Sequence, residues 1–375
     1  MNRSMEIVKK KYLSFAGDPE ERMHLESGQA IGPVTIAYEV YGKLNHRKDN
    51  SILIFHSLTM DSHAAGSYQK TDKEKGWWDG LIGPGKAFDT NRYFIICSNV
   101  LGGCKGSTGP SSIDPSTGKP YGMNFPVITL QDMVKAQKIL IDFLGVKELL
   151  SVAGGSMGGM LALQWFSNYP EITRSVIPIA STWKQSPQQI AFSEVGRQAI
   201  MRDVYWNKGN YYEGPHPKNG LSIARMVGHI TYMNEKFMEK KFSRKTRHRE
   251  FCFSFDTEFE IEQYLNHNGD SLINRFDPNS YLYLSKALNY FDVSGEKLIS
   301  SNNKKQTSFL VISFDSDWLY PSWQSGEIVK FLIARGFSTT YYEISSPYGH
   351  DAFLIELKKE AKLIKKFLEK LDNTK

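Results

Sequence analysis

The stretch Ser151-Val152-Ala153-Gly154-Gly155-Ser156-Met157-Gly158-Gly159-Met160-Leu161-Ala162-Leu163-Gln164-Trp165 changes character in its middle. Its first residues extend the apolar run begun by Leu149-Leu150, which is short, bounded by glycines, and spells a buried strand. Its last residues, with Met160, Leu163 and Trp165, spell a helix. Between the two stands Gly154-x-Ser156-x-Gly158. A serine on a tight strand-to-helix turn, flanked by glycines that let the backbone double back, is a nucleophile elbow pattern. Such a turn holds Oγ above the end of a sheet. It also points the next amide, that of Met157, at any oxyanion that develops there. A glycine-rich turn can serve close helix–sheet packing alone, but the strand-turn-helix setting and the extra glycines favour the elbow.

The same alternation extends on both sides. Val34 to Gly42 alternates like antiparallel strand material. Ser51 to His56 and Arg92 to Asn99 are buried strands. A helix follows from Thr129, with Asp132 near its start and Met133, Ala136, Ile139, Leu140 and Phe143 as its apolar face; Gly145 ends it. Ser175 to Ala180 is the strand after the elbow helix. Strand character returns at Ser308 to Phe314, followed by a helix from about Ser325 to Ala334. Ser338 to Ile344 is a last strand, and a charged amphipathic helix, Leu354 to Leu371, closes the chain. Between lie helical periodicities at Gln188 to Met201, Gly220 to Met233 and Ser280 to Phe291. The basic stretch Lys236 to Glu250 among them is a solvated face or a lure for a phosphorylated substrate. The expected architecture is α/β: a mostly parallel sheet flanked by helices, made of residues 1–183 and 305–375, with residues 184–304 as a helical lid insertion. The long Gly/Ser/Thr/Pro loop Gly102 to Pro120 is expected to be functional.

Bulk properties exclude several classes. With 375 residues, 41% hydrophobic and 23% charged, the chain has a globular composition and exceeds one simple core. The net charge of +6 suits an anionic substrate but does not indicate nucleic-acid binding. Cys97, Cys104 and Cys252 form neither a disulfide framework nor a metal site, which fits a reducing, cytoplasmic setting. Met1 to Lys11 has no apolar signal segment, and no apolar run approaches the ~20 residues of a membrane span.

Ser156, an aspartate after a strand, and a histidine after the last strand follow in the order nucleophile, acid, base. A neutral serine is a poor nucleophile, so His350 must take its proton. Asp315 and Asp317 both stand at the strand end, and spacing does not separate them. The loop Ser57-Leu58-Thr59-Met60-Asp61-Ser62-His63 should supply the second oxyanion donor, the N–H of Leu58. His56 and His63 are expected to fix that loop by hydrogen bonds.

These and further segments resemble the homoserine O-acetyltransferase family, a branch of the α/β-hydrolases. The matching stretches span almost the whole chain: Gly76 to Asp79, Asn99 to Pro110, Asp132 to Gln137, Gly154 to Met160, Ser316 to Pro321 and Tyr348 to Leu354. The resemblance makes Asp317 the triad acid. It implies a ping-pong acetyl transfer from acetyl-CoA, a co-substrate, to L-homoserine in methionine synthesis, with no further cofactor and no metal. It also implies that Arg225, Tyr232, Asp351 and Thr59 bind homoserine, and that the lid forms the acceptor tunnel and a homodimer contact. Arg197 falls in a family-like segment too.

One segment departs from the family. Where it usually has His-Ala-Leu-Thr/Ser-Gly-Asp, this chain has His56-Ser57-Leu58-Thr59-Met60-Asp61. Met60 would strain the loop if the position needs a positive φ, and would otherwise narrow or reshape the pocket; the second is the favoured expectation. O-succinylation, acetylation of serine, plain ester hydrolysis and a non-catalytic ligand-binding role are the alternatives, the last opposed by the intact Ser156, Asp317 and His350.

Overall fold

The computed structural model describes residues 7–72, 74–248, 250–299 and 307–372. Its centre is one eight-stranded sheet. In chain order the strands are β1 (Lys11–Phe15), β2 (Val34–Tyr41), β3 (Ser51–Phe55), β4 (Phe94–Ser98), β5 (Leu149–Gly155), β6 (Ser175–Ile179), β7 (Ser308–Phe314) and β8 (Ser338–Ile344). They lie side by side as β1-β2-β4-β3-β5-β6-β7-β8. β2 pairs antiparallel with β1 and β4, and the pairs from β4 to β8 are parallel. Every residue of β3, β4, β5 and β6 is buried. Strands covered on both faces lose the polar alternation of a half-exposed strand, which explains their continuous apolar runs. β1 is an edge strand, mostly exposed, and its sequence gives no such signal.

Helices cover both faces. α1 (Leu130–Phe143) begins at a capping box: Asp132 N–H donates to Thr129 Oγ1 and Thr129 N–H to Asp132 Oδ2. Its buried face is Leu130, Met133, Val134, Ala136, Gln137, Leu140 and Ile141. The expected apolar positions Ile139 and Phe143 are instead exposed, because the stripe facing the sheet is offset toward Val134 and Ile141. α2 (Met157–Asn168) follows the elbow and is buried through ten of its residues.

Between β6 and β7 come α3 (Pro187–Met201), α4 (Lys218–Tyr232), α5 (Glu235–Lys241), α6 (Glu260–Ile273) and α7 (Pro278–Tyr290). α6 is not among the helical periodicities read from the sequence, and of its residues only Gly269 and Leu272 are fully buried. Much of the basic stretch is α5 and the exposed turn after it. The chain leaves the core at Lys184 and returns beside it at Asp292, the two residues forming an antiparallel bridge. The boundary expected at 304 lies outside the described residues.

α8 (Ser322–Ala334) links β7 to β8. The expected single closing helix is two: α9 (Ala352–Ile355) and α10 (Leu357–Asp372), parted at Glu356. The break lets Phe353 seat against Gly155 on β5 while α10 runs on as a separate amphipathic helix. None of residues 102–120 lines the cavity at Ser156. Ser107 and Thr108 extend the edge of β2: Ser107 Oγ and Thr108 Oγ1 accept the N–H groups of Ala37 and Thr35.

Candidate active site

The elbow stands at the carboxyl end of β5, near the middle of the sheet. Ser156 has φ 58° and ψ −125°, a conformation that costs a non-glycine residue about 1–3 kcal/mol. Its neighbours hold it there: Ser156 N–H donates to Ile179 O at 2.9 Å, and Ser181 Oγ donates to Ser156 O at 3.0 Å. The flanking glycines are required sterically. A Cβ on Gly158 would overlap the Phe55 carbonyl, and one on Gly154 would overlap the Gly158 backbone.

His350 follows β8 and Asp317 follows β7, so three strand ends converge. His350 Nε2 lies 2.9 Å from Ser156 Oγ, and His350 Nδ1 lies 2.7 Å from Asp317 Oδ2. The carboxylate accepts from Nδ1–H, which leaves Nε2 free to accept the serine proton. Asp317 Oδ1 is occupied by the N–H groups of Leu319 and Tyr320 at 3.0 and 2.9 Å. Asp315, the other aspartate of this strand end, is exposed and accepts from Ser346 N–H instead. The imidazole is enclosed by the rings of Tyr320, Phe353 and Tyr232 at 5.1, 5.3 and 5.9 Å between centroids.

Leu58 and Met157 line the same cavity as Ser156. Among the described residues no acceptor takes the N–H of either, so both donors are free for a ligand. His56 is buried and fixes the loop: Val100 N–H donates to its Nε2, and its Nδ1–H donates to Ser57 O. That single tautomer is neutral, and burial lowers the imidazole pKa. The backbone at Met60 is outside the positive-φ region, and Met60 N–H closes a turn onto Ser57 O. The strained-backbone expectation therefore fails. The Met60 side chain is half-buried, next to Thr59, and the residue of this loop that lines the cavity at Ser156 is Leu58.

α4 of the inserted helices packs over this end of the sheet and contributes Val227, Gly228, Thr231 and Tyr232 to the cavity at Ser156. Arg225 Nη1 donates to Thr59 Oγ1 at 3.3 Å, and its guanidinium carbon lies 5.5 Å from the Tyr232 ring centroid. Arg225 Nε is buried with no hydrogen-bond partner among the described residues. A buried donor without a partner costs free energy until an acceptor arrives. Burial raises the Asp351 carboxyl above its ordinary pKa, opposed by the charges of His350 and Arg225. Burial also pushes the Tyr232 phenol up, while Arg225 pulls it down. Arg225, Thr59, Tyr232 and Asp351 thus gather beside His350. Arg197 is elsewhere, pairing with Glu194 and reaching Ser285, where it ties α3 to α7. The cavity walls include Phe192 and Tyr281 from the inserted helices and Tyr320 from the core. Sequence reading does not single out those three, since an aromatic in a helix or loop carries no mark of facing a cavity. Among the described residues no cluster of side chains is arranged to hold a metal ion.

A family model described as alpha/beta hydrolase fold matches residues 50–357, and the chain is a member of that class. The homoserine O-acetyltransferase of Methanosphaerula palustris is 56% identical over 347 residues, covering 92% of this chain and 71% of that one. The crystal structure of homoserine O-acetyltransferase from Bacillus anthracis matches with a TM-score of 0.89 and 34% identity, over 97% of this chain and 98% of that one. The crystal structure of esterase E22 matches with a TM-score of 0.87 and 30% identity, over 96% of this chain and 100% of that one. Within the hydrolase class the chain belongs to the homoserine O-acetyltransferase family.

Proposed function

We propose that the chain transfers an acetyl group from acetyl-CoA to the hydroxyl of L-homoserine through an acetyl ester on Ser156. The observation that carries this reading is the unbroken hydrogen-bond chain Asp317–His350–Ser156, at 2.7 and 2.9 Å, beneath the lid. In the first half-reaction Ser156 Oγ attacks the thioester carbonyl as His350 Nε2 takes its proton. Leu58 and Met157 N–H groups hold the resulting oxyanion, and the CoA sulfur leaves with the proton from His350. In the second, the homoserine hydroxyl gives its proton to His350 and attacks the acetyl ester. Collapse releases the product, and the proton returns to Ser156 Oγ. Asp317 stays ionised throughout and stabilises the imidazolium.

Arg225 binds the homoserine carboxylate, Asp351 pairs with its ammonium group, and Thr59 and Tyr232 border the same space. The partnerless Arg225 Nε supports this assignment. The lid also supports a homodimer, because Val195 on α3 and Ile223 and Ile230 on α4 are exposed. Three free cysteines support the cytoplasm as the place of action. No helix among the described residues is long and apolar enough to cross a membrane.

Incubation with acetyl-CoA alone should add one acetyl group to the peptide that contains Ser156, and homoserine should then remove it. Ser156→Ala should lose on the order of 10⁶-fold in turnover. Arg225→Ala should raise the KM for homoserine and leave the acylation step intact. Acetylation of Cys104 instead, or CoA release indifferent to homoserine, would sink the reading. A second reading, release of the acyl group to water, is favoured by the likeness to esterase E22. It predicts acetate in place of O-acetylhomoserine. Succinyl-CoA and serine in parallel assays test the neighbouring donor and acceptor.

A further inference from the structure

Glu39 lies in the middle of β2, opposite Cys97 of β4, with no exposed surface. A buried carboxylate is costly unless its oxygens are taken, and these are. Oε2 accepts from Tyr41 hydroxyl at 2.9 Å and from His63 Nδ1 at 3.0 Å. Oε1 accepts from Tyr68 hydroxyl at 2.7 Å. Tyr41 is itself a hub: its oxygen accepts the N–H groups of Ala64 and Ala65 at 3.0 and 3.2 Å. One donor and two acceptor sites are all that a hydroxyl has, so this one is saturated.

The segment tied down is the loop after β3. It is irregular, so its backbone groups need partners outside a ladder. His63, Ala64 and Ala65 hang on one carboxylate, directly or through one hydroxyl. Stiff turns connect them back toward the site: His63 N–H donates to Asp61 Oδ1, Trp77 Nε1 donates to Asp61 O, and Met60 N–H donates to Ser57 O. At the far end of this short path stand the free Leu58 N–H and the Thr59 hydroxyl that receives Arg225.

We propose that Glu39 is a positioning residue for both half-reactions: through Tyr41 and His63 it sets the loop that carries the Leu58 oxyanion donor and the Thr59–Arg225 contact. The inference rests on the acetyl-Ser156 reading above. It goes beyond that reading by making a carboxylate that touches no substrate govern the rate of acylation and the grip on the acceptor. Without Glu39, the alternative acceptor for the Tyr41 hydrogen among the described residues is Ser62 O, at 3.4 Å. The hub would then turn and its two amide contacts would loosen.

The test compares Glu39→Ala, Glu39→Gln and Tyr41→Phe with the parent enzyme. Acylatable Ser156 is first counted by the burst of nitrophenolate from p-nitrophenyl acetate, and every rate is expressed per counted site. A displaced oxyanion donor should lower kcat for acylation by about tenfold or more in Glu39→Ala and Tyr41→Phe, with the KM for acetyl-CoA nearly unchanged. The KM for homoserine should rise in the same two variants. Glu39→Gln should restore most of the activity, since its amide oxygen can accept from Tyr41 and His63 while its NH2 donates to Tyr68. A merely structural Glu39 would reduce the number of active sites and leave kcat per site unchanged; that result in Tyr41→Phe overturns the proposal even if Glu39→Ala does not fold. The burst reads acylation whatever the natural donor. Failure of the parent with acetyl-CoA therefore counts against the transfer reading, and an unaltered burst rate in the variants counts against the positioning role.

Discussion

At the residue scale, the two aspartates after β7 show how much position decides. They are two residues apart and chemically identical, yet only Asp317 meets His350, while Asp315 holds the Ser346 amide at the surface. Asp317→Asn should lower turnover by about 10⁴-fold, because the amide cannot hold the imidazole in its working tautomer. Asp315→Asn should stay within a few-fold of the parent enzyme, since its loss concerns one loop contact, to the Ser346 amide, away from His350. Comparable losses in two folded variants, measured as kcat, would refute the assignment. Ser156, His350 and the pair of aspartates are legible in the sequence because each sits at a strand end. The choice between the aspartates comes from resemblance, since two-residue spacing says nothing about which one turns inward. Glu39 is illegible for the opposite reason. A charged residue amid Val34 to Tyr41 looks like one on the solvent side of a strand, and only the folded sheet reveals that both faces are covered.

At the scale of elements, α4 carries a titratable group that opposes its own protonation. His229 is buried against α6, with Nδ1 at 3.2 Å from Tyr264 hydroxyl and Nε2 without a hydrogen-bond partner among the described residues. Burial first, and then the charges of Arg225, Arg275 and Lys241, lower its pKa to about 3. The unfolded chain takes this proton near pH 6.5 and the folded chain does not. Stability is therefore fully present above pH 6.5 and declines as the pH falls toward 3. At pH 5 the unfolded state gains about 1.5 pKa units of advantage, or ~2 kcal/mol. Urea melts at pH 8 and pH 5 should show His229→Gln losing ~2 kcal/mol less than the parent between the two conditions. Identical losses would mean that His229 titrates normally. The element α4 itself is visible in the sequence as a 3.6-residue periodicity. The burial of its histidine is not, because the cover comes from α6, a separate helix whose Tyr264 meets the imidazole, and no local pattern encodes that pairing.

At the scale of the whole molecule, the core strands are plain in the sequence but their order is not. β4 lies between β2 and β3, a placement that depends on pairings between distant segments. No local periodicity encodes such partners. The inserted helices α3 and α4 present Val195, Ile223 and Ile230 to the outside. If two copies meet there, Val195→Glu combined with Ile223→Glu should halve the mass measured by sedimentation, since burying unpaired carboxylates at an apolar contact is prohibitive. A parent that sediments at the monomer mass would remove the homodimer.

The meeting of Lys184 with Asp292, reinforced by the hydrogen bond from Val293 N–H to Trp183 O at 2.9 Å, has a consequence for how such chains diversify. Everything between those two residues can be lifted out through a narrow seam and another helical piece joined at the same place, without disturbing a single strand pairing. The segment so exchanged carries Arg225 and Tyr232, while Ser156, Asp317 and His350 remain behind. A graft at this seam would replace the residues proposed to hold the acceptor and leave the three strand-end residues of the proposed acyl-enzyme chemistry in place.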